Sequence, residues 1–297
     1  MKALEFENIH RAYRRGADVL KGITFSVDAG EVVGLVGKNG AGKTTLIRIA
    51  MGMLEAQTGH VRVLGLDPRT DALDMKRRVG YVSEDQILPE FLTVGAVVRL
   101  HRALFPTWDD QLERRLRERF ELAPRARIKT LSKGQARQVA LLCAIAHRPE
   151  VLLLDEPAGG LDPAARREFL ETSIQLLNEA GSTILFSSHY MTDVERMAGR
   201  IVMIHEGCLL LDGALDDLRE QYSLALLPRG PVGWRDRLIG LSGCISVREQ
   251  SDSLHAVFRL EPQQCRSLLQ RELHISDARC LSITLDDMFV ELVEGRP

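Results

Sequence analysis

Eight residues near the start of the chain, Gly37 to Thr44 (GKNGAGKT), leave little freedom for the fold around them. They satisfy the pattern GxxxxGK[ST] in full. Glycines permit backbone angles that turn successive N–H groups toward one point. A helix starting at Lys43 adds its positive dipole end. Lys43 supplies a full charge for the β- and γ-phosphates of a nucleotide, and the Thr44 hydroxyl suits Mg2+. Chance produces such a match about once in a hundred chains of this length. The flanks agree: EVVGLV (31–36) is a short apolar run, and Leu46, Ile49, Ala50 and Met53 then recur at helical spacing. The local reading is strand, glycine loop, helix.

Two further apolar runs, VLLLDE (151–156) and TILFSS (183–188), have the character of buried parallel strands. Acids at the end of a buried strand are costly without a partner cation. Asp155 is therefore placed to hold Mg2+, directly or through water, and Glu156 to orient and deprotonate an attacking water. His189 follows the third run at its carboxyl end, where open α/β sheets bind their ligands. It is expected to contact the γ-phosphate. The other seven histidines show no ligand spacing.

Composition sets the outer limits. The chain has 297 residues, 45% apolar and 27% charged, so wholesale disorder is excluded. A net charge of −2 gives no positive field to gather nucleic acid, and none is expected as a partner. Five cysteines form no CxxC pair, which argues against a disulfide framework and for a reducing compartment. The start, MKALEFENIH, has acids where a signal peptide needs an apolar stretch. The longest strongly apolar run, Val139–Ala146, is far below the ~20 residues of a membrane span. If the protein acts at a membrane, something else must hold it there.

Residues 1–30 read as short strands, and 61–64 and 79–82 as further ones. From Thr93 to Glu121 the chain reads as helical and charged, with a solvated face. A Pro/Gly stretch at 228–233 reads as a linker or long turn. Strands at 245–248 and 254–260, a helix from Pro262 to Leu273, and a capped last helix opened by Thr284 and Asp287 follow it. The expectation is a large α/β domain over 1–222 and a small α+β domain over 223–297.

Leu131-Ser-Lys-Gly-Gln135, running through ARQVALLCAIAHRPE into VLLLDEP, carries a resemblance to a known family. With the phosphate loop, and with 24 residues from Leu131 to Asp155, it resembles the signature motif and Walker B strand of the ATP-binding subunit of ABC transporters. Gly160-Leu-Asp162-Pro resembles the D-loop, and Tyr13 sits where the family has an aromatic that stacks on adenine. The resemblance covers residues 1 to about 220 and implies a P-loop fold of ABC ATPase type. Such a fold has a RecA-like core, an antiparallel β subdomain and a helical subdomain at about 84–130. It implies that Gly37, Asn39, Gly40, Ala41, Gly42, Lys43, Thr44 and Thr45 bind ATP, and that Ser132, Lys133, Gly134 and Gln135 act on the ATP of a second subunit.

One chain carries one phosphate loop and one signature, so the resemblance implies a head-to-tail homodimer on ATP. Retention of both Glu156 and His189 fits an ATPase with two active sites. The tail beyond residue 223 resembles the small domain of export-type systems. A separate membrane permease would then be the other partner, holding the chain at the cytoplasmic face. Ile87, Leu88 and Phe91 are candidate contacts for it. Two positions depart from the pattern: Ser83-Glu84 stands where the family usually has a glutamine, and Lys133 replaces a glycine. Glu84 is a candidate metal contact. A ribosome- or DNA-directed ATPase is disfavoured: the chain has one cassette, and 111 residues from Thr44 to Asp155 leave no room for a long coiled coil. A nucleotide sensor without turnover is disfavoured by Glu156.

Overall fold

A computed structural model of the chain describes every residue except 14–15, 85–87, 162–165, 168, 174–180, 229–232, 251, 276–277 and 295–297. Its contacts form two compact units, Met1–Asp212 and Gly213–Pro297. The helix Leu215–Gln221 falls in the second unit, ahead of the 222/223 border read from the sequence.

The first unit opens with two antiparallel strands, β1 (Lys2–Tyr13) and β2 (Ala17–Asp28). They are long rather than short. Register shifts along β1 break the two-residue alternation that would have revealed their length. A core strand, β3 (Val32–Val36), leads to helix α1 (Lys43–Ala50), and β4 (Thr58–Val63) completes a three-stranded sheet in the order β2-β1-β4. Helix α1 is shorter than its sequence pattern predicts. It ends before Met53, which is 52% exposed, while Ile47 fills the buried face beside Leu46, Ile49 and Ala50.

Helix α2 (Ala72–Arg78) precedes β5 (Val79–Val82). The charged segment from Thr93 then forms two helices, α3 (Val94–Leu104) and α4 (Asp110–Arg119). Pro106 falls in the break. Thr93 caps the first helix through Ala96 N–H at 3.2 Å, and Asp109 caps the second through the N–H groups of Gln111 and Leu112, both at 2.8 Å. The charged face is not wholly solvated. Glu113 is buried and accepts bonds from Arg102, Arg117 and the Trp108 indole.

Helix α5 (Lys133–Ile145) runs into β6 (Val151–Leu154); β7 (Thr183–Ser188), helix α6 (Met191–Met197), β8 (Arg200–His205) and β9 (Cys208–Ala214) follow. These strands build a six-stranded sheet in the order β5-β6-β7-β3-β8-β9. From β5 to β8 every described pairing is parallel, which is why β6 and β7 read as unbroken apolar runs. Register aligns Val36 with Ser188, Leu154 with Phe186 and Val82 with Leu154. The residues that follow each strand therefore leave the sheet at one edge.

The second unit contains a four-stranded antiparallel sheet. Its strands are Cys244–Glu249, Ser253–Phe258, Ser223–Pro228 and Arg279–Ser282, in that spatial order. Ala225, Leu227, Val247, Ala256 and Phe258 pack with Leu269 and Leu273 of the helix Pro262–Leu273. On the last helix, Leu285–Glu294, the buried Glu291 accepts bonds from Arg248 and pairs with His255 at 3.0 Å. The Asp287 N–H donates to the Thr284 hydroxyl at 3.1 Å, as the sequence leads one to expect at that helix start.

Candidate active site

The loop between β3 and α1 is held close by its glycines. A Cβ on Gly37 would lie 2.3 Å from the Ile204 carbonyl oxygen. Gly42 has φ +109° at the start of α1, and a Cβ there would lie 2.6 Å from Leu20 Cδ2. Lys43 folds back over the loop. Its Nζ donates to Gly37 O at 2.7 Å and lies 3.2 Å from Glu156 Oε1, with both side chains almost fully buried.

Thr44, Asp155, Glu156 and His189 converge with Lys43 at the sheet edge. Thr44 Oγ1 donates to Asp155 Oδ1 at 3.0 Å, tying α1 to the end of β6. His189, leaving β7, places Nδ1 2.9 Å from Glu156 Oε2. Glu156 has φ +45°, a left-handed backbone for a residue with a side chain. Tyr13 at the end of β1 is 43% exposed, and its hydroxyl lies 3.3 Å from Thr45 Oγ1. Tyr13, Asn39, Gly40, Ala41, Gly42, Lys43, Thr44, Thr45, Glu84 and Glu156 line one cavity of about 440 Å3, with Val19 also in its wall.

Asp155 is fully buried, and its Oδ2 has no hydrogen-bond partner. Burial pushes its carboxyl above the ordinary range, against the pull of hydrogen bonds from Ser187 and Thr44. A buried, half-unpartnered carboxylate beside a hydroxyl is a hard-oxygen donor set that fits Mg2+. Glu84 reaches the cavity wall from the end of β5.

The signature segment sits elsewhere. Ser132 caps α5 and forms a reciprocal box with Gln135, both contacts at 3.1 Å. Ser132 and Lys133 are exposed, and none of residues 131–135 lines the cavity. A Cβ on Gly134 would lie 3.6 Å from Leu161 Cδ2. Asp162 and Ile87 lie outside the described residues. Leu88 is buried, whereas Phe91 is 78% exposed.

Two contributors were not singled out in the sequence. Ser187 donates to Asp155 Oδ1 at 2.8 Å and accepts from the Glu156 N–H at 2.8 Å. A hydroxyl inside an apolar strand run was the available signal. Tyr190 packs on the His189 ring, with centroids 3.9 Å apart, and the Arg166 guanidinium lies 3.7 Å from the Tyr190 centroid.

A parallel sheet with a phosphate loop, two acids and a histidine at one edge defines a P-loop nucleotide-binding ATPase. The family model described as ABC transporter matches residues 20–159. The linearmycin resistance ATP-binding protein LnrL of Bacillus subtilis is 35% identical over 220 residues, covering 72% of this chain and 70% of that protein. The Nod factor export ATP-binding protein I of Paraburkholderia xenovorans is 31% identical, over 98% of this chain and 96% of its own. Among solved structures, an ATP-binding subunit of an ABC transporter aligns with TM-score 0.65 and 31% identity, over 73% of this chain and 92% of that one. The chain belongs to the ABC transporter ATP-binding family and is an ABC-type ATPase. Among the described residues, no helix is long and apolar enough to cross a membrane.

Proposed function

We propose that the chain energises export through a separate membrane permease, as one of two copies that close head to tail on ATP. The observation that carries this reading is a separation within one chain. The phosphate cavity holds Lys43, Thr44 and Glu156, while the exposed N-terminus of α5 lies outside its lining. A second copy would bring its Ser132, Lys133, Gly134 and Gln135 to the open side of the nucleotide, where a helix N-terminus favours phosphate.

Within that assembly the contacts support one role for each residue. Adenine stacks on Tyr13, and the loop N–H groups from Asn39 to Thr45 cradle the phosphates. Lys43 exchanges its contact with Glu156 for the β- and γ-phosphates. Thr44, Asp155 and Glu84 would hold Mg2+, which neutralises phosphate charge when bound. Glu156 orients the attacking water and accepts its proton, and His189 fixes the Glu156 carboxylate and reaches the γ-phosphate. Asp162 of the D-loop would meet the second copy.

Export is supported by the resistance and export systems named for the two relatives. Phe91, Leu100 and Leu104 expose apolar side chains in the helical subdomain and suit a helix of the permease, which would hold the chain at the cytoplasmic face of the membrane. The domain beyond residue 222 is assigned an accessory role in regulation or dimer contact. In the test, Glu156→Gln is mixed with ATP and its mass followed by light scattering. A stable dimer is expected; a monomer at saturating ATP defeats the two-copy site. Co-purification of a polytopic membrane protein from detergent extracts tests the permease.

A further inference from the structure

Arg137 takes no part in the site as described, yet it touches the main chain behind it. Helix α5 presents this side chain, partly buried, slightly more than one turn beyond the Ser132 cap. Its Nη1 donates to Glu156 O at 2.9 Å and to Pro157 O at 2.6 Å, and its Nη2 donates to Glu84 O at 3.2 Å. One planar fork thus joins three segments: the signature helix, the turn after β6, and the chain leaving β5 toward the cavity. All three acceptors in these contacts are backbone carbonyls.

The carbonyl of Glu156 is a sensitive place to hold. Glu156 is left-handed, at φ +45°, and this conformation persists only where its surroundings fix both ends of the residue. Ser187 fixes the N–H at 2.8 Å. Arg137 and the Gly159 N–H, the latter at 3.0 Å, fix the carbonyl. The backbone so held aims the carboxylate, with Oε1 toward Lys43 and Oε2 toward His189. Releasing the carbonyl would let the residue relax toward ordinary backbone angles and swing the carboxylate off line.

We propose that Arg137 is a positioning residue for hydrolysis: it locks the left-handed backbone of Glu156 and couples that lock to the N-terminus of the signature helix and to the Glu84 segment. The inference rests on the reading of Glu156 as the water-activating carboxylate. Arginine suits the task because its rigid fork can serve separated acceptors at once, whereas a lysine ammonium is a single point. A helix end that moves when a second copy engages it would, through this fork, carry the movement to the carboxylate.

The test uses the full chain and four variants: Arg137→Gln, Arg137→Lys, Glu156→Gln and the Arg137→Gln/Glu156→Gln double variant. ATP affinity is read with a fluorescent ATP analogue, turnover as steady-state phosphate release with Mg2+, and folding by thermal melting. For Arg137→Gln the expected result is a kcat loss of about tenfold or more, with ATP affinity within about threefold of the parent. Arg137→Lys should recover only part of that loss. Added to Glu156→Gln, Arg137→Gln should lower residual turnover by less than about twofold, because both act through one group. A kcat within about twofold of the parent in Arg137→Gln overturns the proposal. So does a full multiplicative loss in the double variant, or a parallel fall of affinity, turnover and melting temperature in both Arg137 variants. Should Arg137→Gln fail to fold, Arg137→Lys must itself show the kcat-selective loss. A parent protein without turnover would instead defeat the ATPase roles assigned above, which Arg137 does not decide.

Discussion

Asp155 is a carboxylate whose surroundings oppose its charge. Burial raises its native-state affinity for a proton above that of the unfolded chain. Its contribution to stability therefore falls as pH climbs from the ordinary carboxylate range through the raised native value. Asp155→Asn can keep the bonds from Thr44 and Ser187 at Oδ1 while removing the charge. We expect it to stabilise the nucleotide-free protein by ~1 kcal/mol, about 2–4 °C in melting temperature near neutral pH, and to flatten that part of the pH profile. Mg2+-dependent turnover should be lost. Melting curves across pH, paired with phosphate release, check both. Tyr13 calls for a different measurement. Tyr13→Ala should weaken ATP binding about tenfold, the scale of one base–aromatic stack, whereas Tyr13→Phe should stay close to the parent in a nucleotide titration. Asp155 and Glu156 were legible because acids at the end of an apolar run are costly unless chemistry needs them, and Lys43 because it completes the phosphate-loop pattern. Ser187 was harder to see: a serine in a strand declares no partner until the neighbouring strand is known.

At the scale of elements, local signals succeeded where the code is local. The cap at Thr284 and the start at Pro262 depend on residues a few positions apart. The helical reading of 93–121 left open where the segment breaks, because a charged pattern continues across the interruption that Pro106 and the cap at Asp109 impose. Burial of Glu113 was equally invisible, since three donors, Arg102, Trp108 and Arg117, surround it only after α3 and α4 pack. Glu113→Ala strips a buried acceptor from these donors and should destabilise the helical segment by about 3 kcal/mol. A melt of the whole chain does not localise this loss to one segment of one unit. Amide hydrogen exchange within 94–122 is the direct reading, and protection there should fall while that of β3 and β6 changes less.

For the whole molecule, the sheet order β5-β6-β7-β3-β8-β9 does the assembling. Strands distant in sequence become neighbours, so their exits, carrying Glu84, Asp155, Glu156, His189 and the phosphate loop, share one edge. ATP bound there should stabilise the protein by mass action, by about 2.7 kcal/mol at a hundredfold excess over Kd. Lys43→Ala should abolish most of that shift. Thermal melts with and without Mg-ATP measure it, and an unchanged shift in the variant would remove Lys43 from phosphate binding.

The sequence by itself determined the chemistry: a phosphate loop, two acids and a histidine, each after an apolar run, since spacing within a few residues fixes which groups a strand end can offer. Only the tertiary structure decided which groups meet. Lys43 pairs with a carboxylate 113 positions away, Ser187 braces the strand beside its own, and Arg137 grips three carbonyls. Such contacts depend on strand order and helix packing, which arise from burial of apolar faces across the whole unit. Burial is nondirectional, and no short stretch of chain encodes where it brings two distant residues together.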